Sequence, residues 1–145
     1  MTPGTLFVDQ HFTFHDGEEA KKILIALGSA HGVTLVVKTT SQGRRYPNDF
    51  GCQAEHRFPN FHLVQGCCCL SKSTWVCLDE FYEFKDAELL QRHFSGDVHR
   101  IGTLSDELTE ALMECAQQSE DISARQSAIV AGALAAFRDA KAQEQ

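Results

Sequence analysis

The chain has 145 residues and 43% of them are hydrophobic, which suits one globular domain with a single core. The formal net charge of −7 argues against a general nucleic-acid-binding protein, because contacts with phosphates need Lys and Arg. No apolar run approaches the ~18 residues of a membrane span, and the N-terminal segment lacks the pattern of a signal peptide. The sequence therefore predicts a cytoplasmic protein that is not inserted in a membrane.

The negative charge is distributed unevenly. Acidic and basic residues balance within residues 1–60, and the whole acidic excess lies downstream. A locally basic site in the first half is compatible with this pattern. Three of the six cysteines are consecutive, and neighbours on a strand point to opposite faces, so we predict that the cysteines are reduced thiols.

The first half of the sequence predicts short β-strands. Phe12 and Phe14 alternate with polar residues and lead into a loop, which favours a strand at the start of the chain. Residues 23–27 form an apolar run and predict a buried strand. Residues 28–32 contain two glycines and predict a turn, and the β-branched residues 33–37 predict the partner strand of a hairpin.

The next segment predicts a loop followed by three strands. Residues 43–60 contain two prolines, which favours a long loop with at most a short edge strand. Strands are predicted at 61–64, 67–70 and 74–78. Five or six short strands without intervening helices predict a small, curled antiparallel sheet or barrel.

The last third of the sequence predicts helices. Asp86 is predicted to cap a brief helix, and residues 104–116 and 121–140 show the apolar spacing of two amphipathic helices, the first starting at Thr103. The fold class predicted is α+β, mainly β. We expect the barrel and the first amphipathic helix to occupy residues 1–118 and a further helix to follow in 119–145.

Two polar clusters occur at the ends of the predicted hairpin strands, in residues 15–22 and 38–47. Hairpin strands place the start of one beside the end of the next, so Lys22 and Thr40 are predicted to face a common groove. Carboxylates, cations and hydroxyls together suit phosphodiester chemistry on RNA, which needs a base, a proton donor and positive charge. The alternative interpretation is a solvated polar rim.

At this point the sequence resembles the MazF/PemK (Kid-like) toxins, which are small ribonucleases with an SH3-like barrel. Six landmarks over residues 3–116 carry the resemblance and occur in the family's order. They are Gly4 to Val8, Lys21-Lys22 leading into Ile23 to Leu27, Thr39-Thr40-Ser41-Gln42, Arg44-Arg45-Tyr46-Pro47, Trp75 to Glu80, and Ile101-Gly102-Thr103-Leu104-Ser105.

The resemblance implies an SH3-like barrel with C-terminal helices and a metal-independent endoribonuclease that cleaves single-stranded RNA without a cofactor. It also implies a homodimer and a partner antitoxin protein. The residues that it implies for catalysis are Lys22, Glu18, Glu19, His15, Thr40 and Ser41. Those that it implies for RNA binding are Lys21, Lys38, Arg44, Arg45 and Tyr46.

The chain departs from the family at two positions of the implied site. Lys22-Ile23 stands where members typically carry Arg-Pro, and lysine is a point charge rather than a bidentate fork. The family's acidic base aligns with Gly17, so Glu18 or Glu19 is predicted to replace it, with His15 as a further candidate. These departures leave open a non-catalytic barrel that binds RNA or a protein, and an unrelated small β-domain.

Other residues have two interpretations each. The cysteines with His56 and His62 suggest zinc, but their spacing lacks a paired C-x-x-C, so no metal site is predicted. Trp75 and residues 81–84 suggest base stacking, and core packing is the favoured interpretation. The acidic run from Asp79 to Glu88 suggests a general acid or a metal site, and a solvated face is favoured.

Overall fold

The computed structural model describes residues 1–144. It is a mainly-β α+β fold, as predicted, with an antiparallel sheet of eight strands and three helices. The strands are β1 (Thr5–Thr13), β2 (Glu19–Ala30), β3 (Val33–Thr40), β4 (Gly51–Gln53), β5 (Asn60–Leu63), β6 (Thr74–Cys77), β7 (Tyr82–Lys85) and β8 (Val98–Thr103). The helices are α1 (Asp86–Phe94), α2 (Asp106–Gln117) and α3 (Ala124–Gln143).

The strand order across the sheet is β4-β5-β6-β3-β2-β1-β8, with β7 also beside β3. Strand β3 pairs with β7 through its first half, Val33 to Val36, and with β6 through its last two residues, Thr39 and Thr40. This fork bends the sheet around β3. The sheet is not closed, since β4 and β8 form its two free ends.

The two faces of the central hairpin contact separate apolar clusters, and a third, smaller cluster contains Tyr46, Trp75 and Cys77. Ile25 and Val37 belong to the larger cluster, which packs under α2 and α3. Leu24 and Val36, their neighbours in sequence, face the other way into an aromatic cluster that includes Phe12. Successive side chains of a strand point to opposite faces, so both faces of the central hairpin are covered.

The two long helices confirm the predicted ones, with boundaries that differ by a few residues. Helix α2 is capped by Ser105, whose side chain accepts a hydrogen bond from the backbone of Leu108, and not by Thr103. Helix α3 packs against β2 at Gly28, where an added Cβ would lie 2.6 Å from Ala133. This close approach explains why a small residue occupies position 133 of α3.

Helix α1 begins at Asp86 as predicted, but Asp86 does not cap it. Its carboxylate accepts a hydrogen bond from Thr34 at 2.6 Å, and so ties the helix to β3. Of the predicted apolar face, Leu89 is buried, whereas Leu90 and Phe94 are exposed.

Three strand predictions need correction. Strand β2 continues to Ala30, so the turn is reduced to His31 and Gly32, which both have positive φ. Residues 67–70 are not a strand, because the β5–β6 pairing leaves them in the connecting segment. Strands β7 and β8 were not predicted. The short edge strand expected within 43–60 is confirmed as β4.

Cys52 in β4 and Cys115 in α2 form a disulfide. The prediction that all the cysteines are reduced is therefore wrong, although the other four are free thiols. The prediction considered neighbours in sequence, whereas folding joins two residues 63 positions apart.

Within residues 1–144, no helix is both long and apolar enough to span a bilayer.

Loss of this disulfide is expected to lower the free energy of unfolding by about 2–4 kcal/mol, because the cross-link restricts the unfolded chain. Urea denaturation of Cys52→Ser and of the wild type measures the difference. Cys69→Ser removes an exposed free cysteine and serves as the control, with a change within about 0.5 kcal/mol. Equal stability of Cys52→Ser and the wild type would contradict a stabilising bond.

Candidate nucleic-acid interface

A groove lies where β2 begins and β3 ends. Leu24 is paired with Lys38 across these antiparallel strands, so Lys22 and Thr40, each two residues nearer the strand ends, come side by side. They line a cavity of about 510 Å³ together with Lys21 and Ser41. The predicted common groove of Lys22 and Thr40 is thus confirmed. Other polar lining residues are Thr39, Gln42, Lys72 and Thr74.

Two ammonium groups converge on one aromatic ring in this groove. The Nζ atoms of Lys22 and Lys38 lie 5.8 and 5.3 Å from the centroid of the Phe14 ring. Lys38 forms an ion pair with Glu80 at 3.1 Å. Lys22 donates only to the backbone oxygen of Thr39, at 3.4 Å, and within residues 1–144 it has no ion-pair partner. The Lys22 charge is therefore free to attract an anion.

Glu80 connects Lys38 to Tyr82. The Tyr82 hydroxyl donates to Glu80 at 2.5 Å. Burial alone would raise the pKa of Glu80, but the hydrogen bonds from Tyr82 and Lys38 outweigh it and hold the pKa below its ordinary value. Burial and the bond to Glu80 raise the pKa of Tyr82. At neutral pH the pair is thus a carboxylate and a protonated phenol.

His15 joins this group through Tyr82. The two rings are stacked with centroids 4.1 Å apart, and His15 Nε2 lies 3.2 Å from the carbonyl oxygen of Phe81. A carbonyl oxygen only accepts, so Nε2 carries a proton in this contact and Nδ1 is the other ring nitrogen available for proton transfer.

Arg45 and Tyr46 form the far rim of the groove. They line a second cavity of about 220 Å³, which shares Lys22 and Thr40 with the first. Tyr46 is buried and its hydroxyl contacts Cys77 Sγ at 3.6 Å. Burial is the main cause that raises the pKa of Tyr46 to about 12, so the hydroxyl keeps its proton.

Four of the predicted site residues lie outside both cavities, and one of them is His15, which is exposed. Glu18 and Glu19 are exposed, and Glu18 is held in a turn by its backbone bond to Asp16. Arg44 is exposed beside the rim. The predicted residues that line at least one of the two cavities are Lys21, Lys22, Lys38, Thr40, Ser41, Arg45 and Tyr46.

Sequence reasoning missed the carboxylates of this site, which it assigned to a solvated face. The pairing of Tyr82 with Val36 places Glu80 opposite Lys38 when the register is extended by two residues. Asp79 lies near Cys77 and Tyr82, whose pKa values its charge raises, and its Oδ1 is buried without a hydrogen-bond partner among residues 1–144. Glu80 and Tyr82 are two residues apart, which places them on the same face of an extended segment. This spacing is the feature of the sequence from which their contact could have been predicted.

Burial decides between base stacking and core packing for three of the aromatic residues. Trp75, Phe81 and Tyr82 are buried, which confirms the core interpretation for them. Within residues 1–144, no group of three or more His, Cys, Asp or Glu side chains is placed to hold a metal ion.

The fold and the groove together define an α+β protein with a cationic, hydroxyl-rich cleft at one end of its central hairpin. Comparison of the chain with protein-family models and with curated proteins finds no match. The resemblance to the MazF/PemK toxins accordingly stays a prediction.

Proposed function

We propose that the protein is a metal-independent endoribonuclease of the MazF/PemK type that cleaves single-stranded RNA. The observation that carries this proposal is the Lys22 ammonium group, which has no ion-pair partner within residues 1–144 and lines one groove with the hydroxyls of Thr40 and Ser41. An unpaired positive charge beside hydroxyl donors suits the phosphodiester group that links two nucleotides. Lys21 and Lys72 extend positive charge along the same groove, which suits the neighbouring phosphates of a strand.

In the proposed reaction the ribose 2′-hydroxyl attacks the adjacent phosphorus as its proton is removed, and the 5′-oxygen leaves as it gains a proton. The products are a 2′,3′-cyclic phosphate and a 5′-hydroxyl. Because the nucleophile belongs to the substrate, no metal is needed to activate a water molecule. Lys22 stabilises the negative charge that develops on the phosphorane oxygens.

One candidate for the proton acceptor is the Asp79 carboxylate, which has an oxygen buried without a hydrogen-bond partner among residues 1–144 but lines neither cavity, so it would act only after a movement that exposes it to the groove. His15, through Nδ1, is the second candidate. Glu80 is less suited, because its hydrogen bonds to Lys38 and Tyr82 lower its pKa. Glu18 lies in the loop that precedes β2 and Glu19 is the first residue of β2, so both would reach the groove only if this end of the β1–β2 hairpin moved.

The remaining parts of the proposal follow from the resemblance. We extend it to a homodimer, to inhibition by a cognate antitoxin protein and to action on cytoplasmic RNA. An SH3-like barrel is the corresponding fold, here with an open sheet.

Incubation of the purified protein with a mixed-sequence RNA in the presence of a chelator tests the activity. We expect fragments that end in 2′,3′-cyclic phosphates, and no cleavage of single-stranded DNA of the same sequence, because DNA lacks the 2′-hydroxyl. Intact RNA in every preparation, with the protein folded, would overturn the nuclease proposal.

A second candidate function is a non-catalytic module that binds RNA. Two observations favour it: Lys22 replaces the family's arginine, and Glu18 and Glu19 lie outside the cavities. A lysine binds one phosphate oxygen as a point charge, which is sufficient for binding. Retention of RNA without cleavage in the same experiment would support this function.

A further inference from the structure

The guanidinium group of Arg45 lies over an aromatic ring at the rim of the groove. Its Cζ atom is 4.5 Å from the centroid of Phe58 and 5.4 Å from that of Tyr46. Its Nη2 donates to the Tyr46 hydroxyl at 3.3 Å. Arg57 also lies over Phe58, at 5.3 Å. Cation–π contacts and a hydrogen bond thus hold an exposed arginine in one orientation.

The loop that carries Arg45 is clamped on both sides of it by Trp75. On one side, Gly43 lies so close to the indole that an added Cβ would be 2.2 Å from it. On the other, Trp75 Nε1 donates to the carbonyl oxygen of Pro47 at 2.9 Å. The Trp75 ring is itself stacked on His62 with centroids 4.4 Å apart. Arg45 is therefore presented by a packed and hydrogen-bonded support.

This arginine is next to the proposed phosphate site, because Arg45, Lys22 and Thr40 line the same cavity of about 220 Å³. A planar guanidinium offers a face on which a nucleobase stacks, and such stacking is tolerant of base identity. We propose that Arg45, supported by Phe58, is a stacking platform for an unpaired nucleobase adjacent to the phosphate held by Lys22. This inference rests on the proposed binding of single-stranded RNA in the groove.

The platform differs chemically from a simple phosphate contact. A phosphate contact does not involve the base, so a change at Arg45 that weakened it would weaken binding of an abasic strand as much as binding of a base-containing one. A stacking contact depends on the planar face and on the presence of a base, so lysine would not replace it, and an abasic strand would not detect the change.

The test uses fluorescence anisotropy at fixed, low ionic strength with a labelled 2′-fluoro oligoribonucleotide, which has no 2′-hydroxyl to react. A matched oligomer with the same backbone and no bases is the second ligand. We expect Arg45→Lys to weaken binding of the base-containing oligomer by on the order of tenfold. Binding of the abasic oligomer should be equal for wild type and Arg45→Lys.

Matched variants separate stacking from folding. Arg125→Lys changes an exposed arginine on α3, away from the groove, and should alter the affinity less than about twofold. Phe58→Leu removes the supporting ring and should reproduce the loss seen for Arg45→Lys. Phe58→Tyr keeps the ring and should bind as the wild type does.

The outcomes distinguish this inference from the proposed nuclease activity. If Arg45→Lys weakens both oligomers equally, or neither, the stacking platform is wrong even where RNA is cleaved. If the wild type binds the oligomer but leaves RNA intact, the nuclease proposal fails and the stacking comparison still decides the platform. Absence of binding by the wild type overturns both.

Discussion

Replacement of Lys22 by alanine is expected to lower the rate of RNA cleavage by on the order of a hundredfold or more. Lys22 lies beside Thr40 and has no ion-pair partner within residues 1–144, whereas the charge of Lys38 is balanced by Glu80. A charge donor fixed before the reaction begins stabilises the phosphorane more than the ground-state phosphate. Single-turnover cleavage with excess protein measures the chemical step directly.

Two matched variants make the Lys22 test specific. Lys21→Ala removes an exposed lysine that lines the groove and is assigned to a neighbouring phosphate rather than to the reacting one, so it should reduce cleavage much less. Lys22→Arg keeps the charge and provides a bidentate donor, so activity should be unchanged or higher where the guanidinium fits. Cleavage by Lys22→Ala at the wild-type rate would show that the site assignment is wrong, whatever the fold.

The central hairpin and its groove could be predicted because both depend on local pattern. The apolar runs of residues 23–27 and 33–37, joined by a short turn, identify two strands that are adjacent in sequence and pair as a hairpin. Once the register of this hairpin is known, the position of Lys22 beside Thr40 follows. The antiparallel class and the two long helices were predictable for the same reason, since each depends on periodicity within a short window.

The carboxylate side of the site depends on a contact between distant segments. Strand β7 pairs with β3 across more than forty residues, and only this pairing places Glu80 opposite Lys38. An acidic run on its own indicates a solvated face, because burial of a carboxylate is unfavourable without a partner. The partner of Glu80 is Lys38 in β3. This strand pairs with both β6 and β7, and no local feature of the sequence indicates that double pairing.

The disulfide and strand β8 also could not be predicted from local sequence patterns. Cys52 and Cys115 are brought together by the packing of α2 against β4, a contact that sequence spacing does not encode. Strand β8 has mostly exposed side chains, among them His99 and Arg100, and so lacks the apolar alternation that identifies a strand. The run Cys67 to Leu70 has the opposite character, apolar in sequence but without a pairing partner.

The buried ion pair between Asp9 and Arg92 predicts the largest loss of stability. Asp9 in β1 is completely buried, and Arg92 in α1 donates to both of its carboxylate oxygens and to Asp97. Burial opposes the charge of Arg92, but its bonds to Asp9 and Asp97 raise its pKa, so it remains a cation. The pair joins α1 to the β1–β8 edge of the sheet.

Arg92→Leu is expected to lower the free energy of unfolding by about 3 kcal/mol, the lower end of the range for breaking a buried pair, since the Arg92 side chain is 29% exposed. The cause is the Asp9 charge left buried with only the backbone amide of His11 as donor. Asp9→Leu combined with Arg92→Leu removes that charge and should recover most of the loss. Arg138→Leu, which breaks a surface pair with Glu110, is the control and should change stability little. Urea denaturation of the three variants and the wild type measures these differences. Equal stability of Arg92→Leu and Arg138→Leu would mean that α1 is held by its apolar contacts alone, and the double variant would then show no recovery.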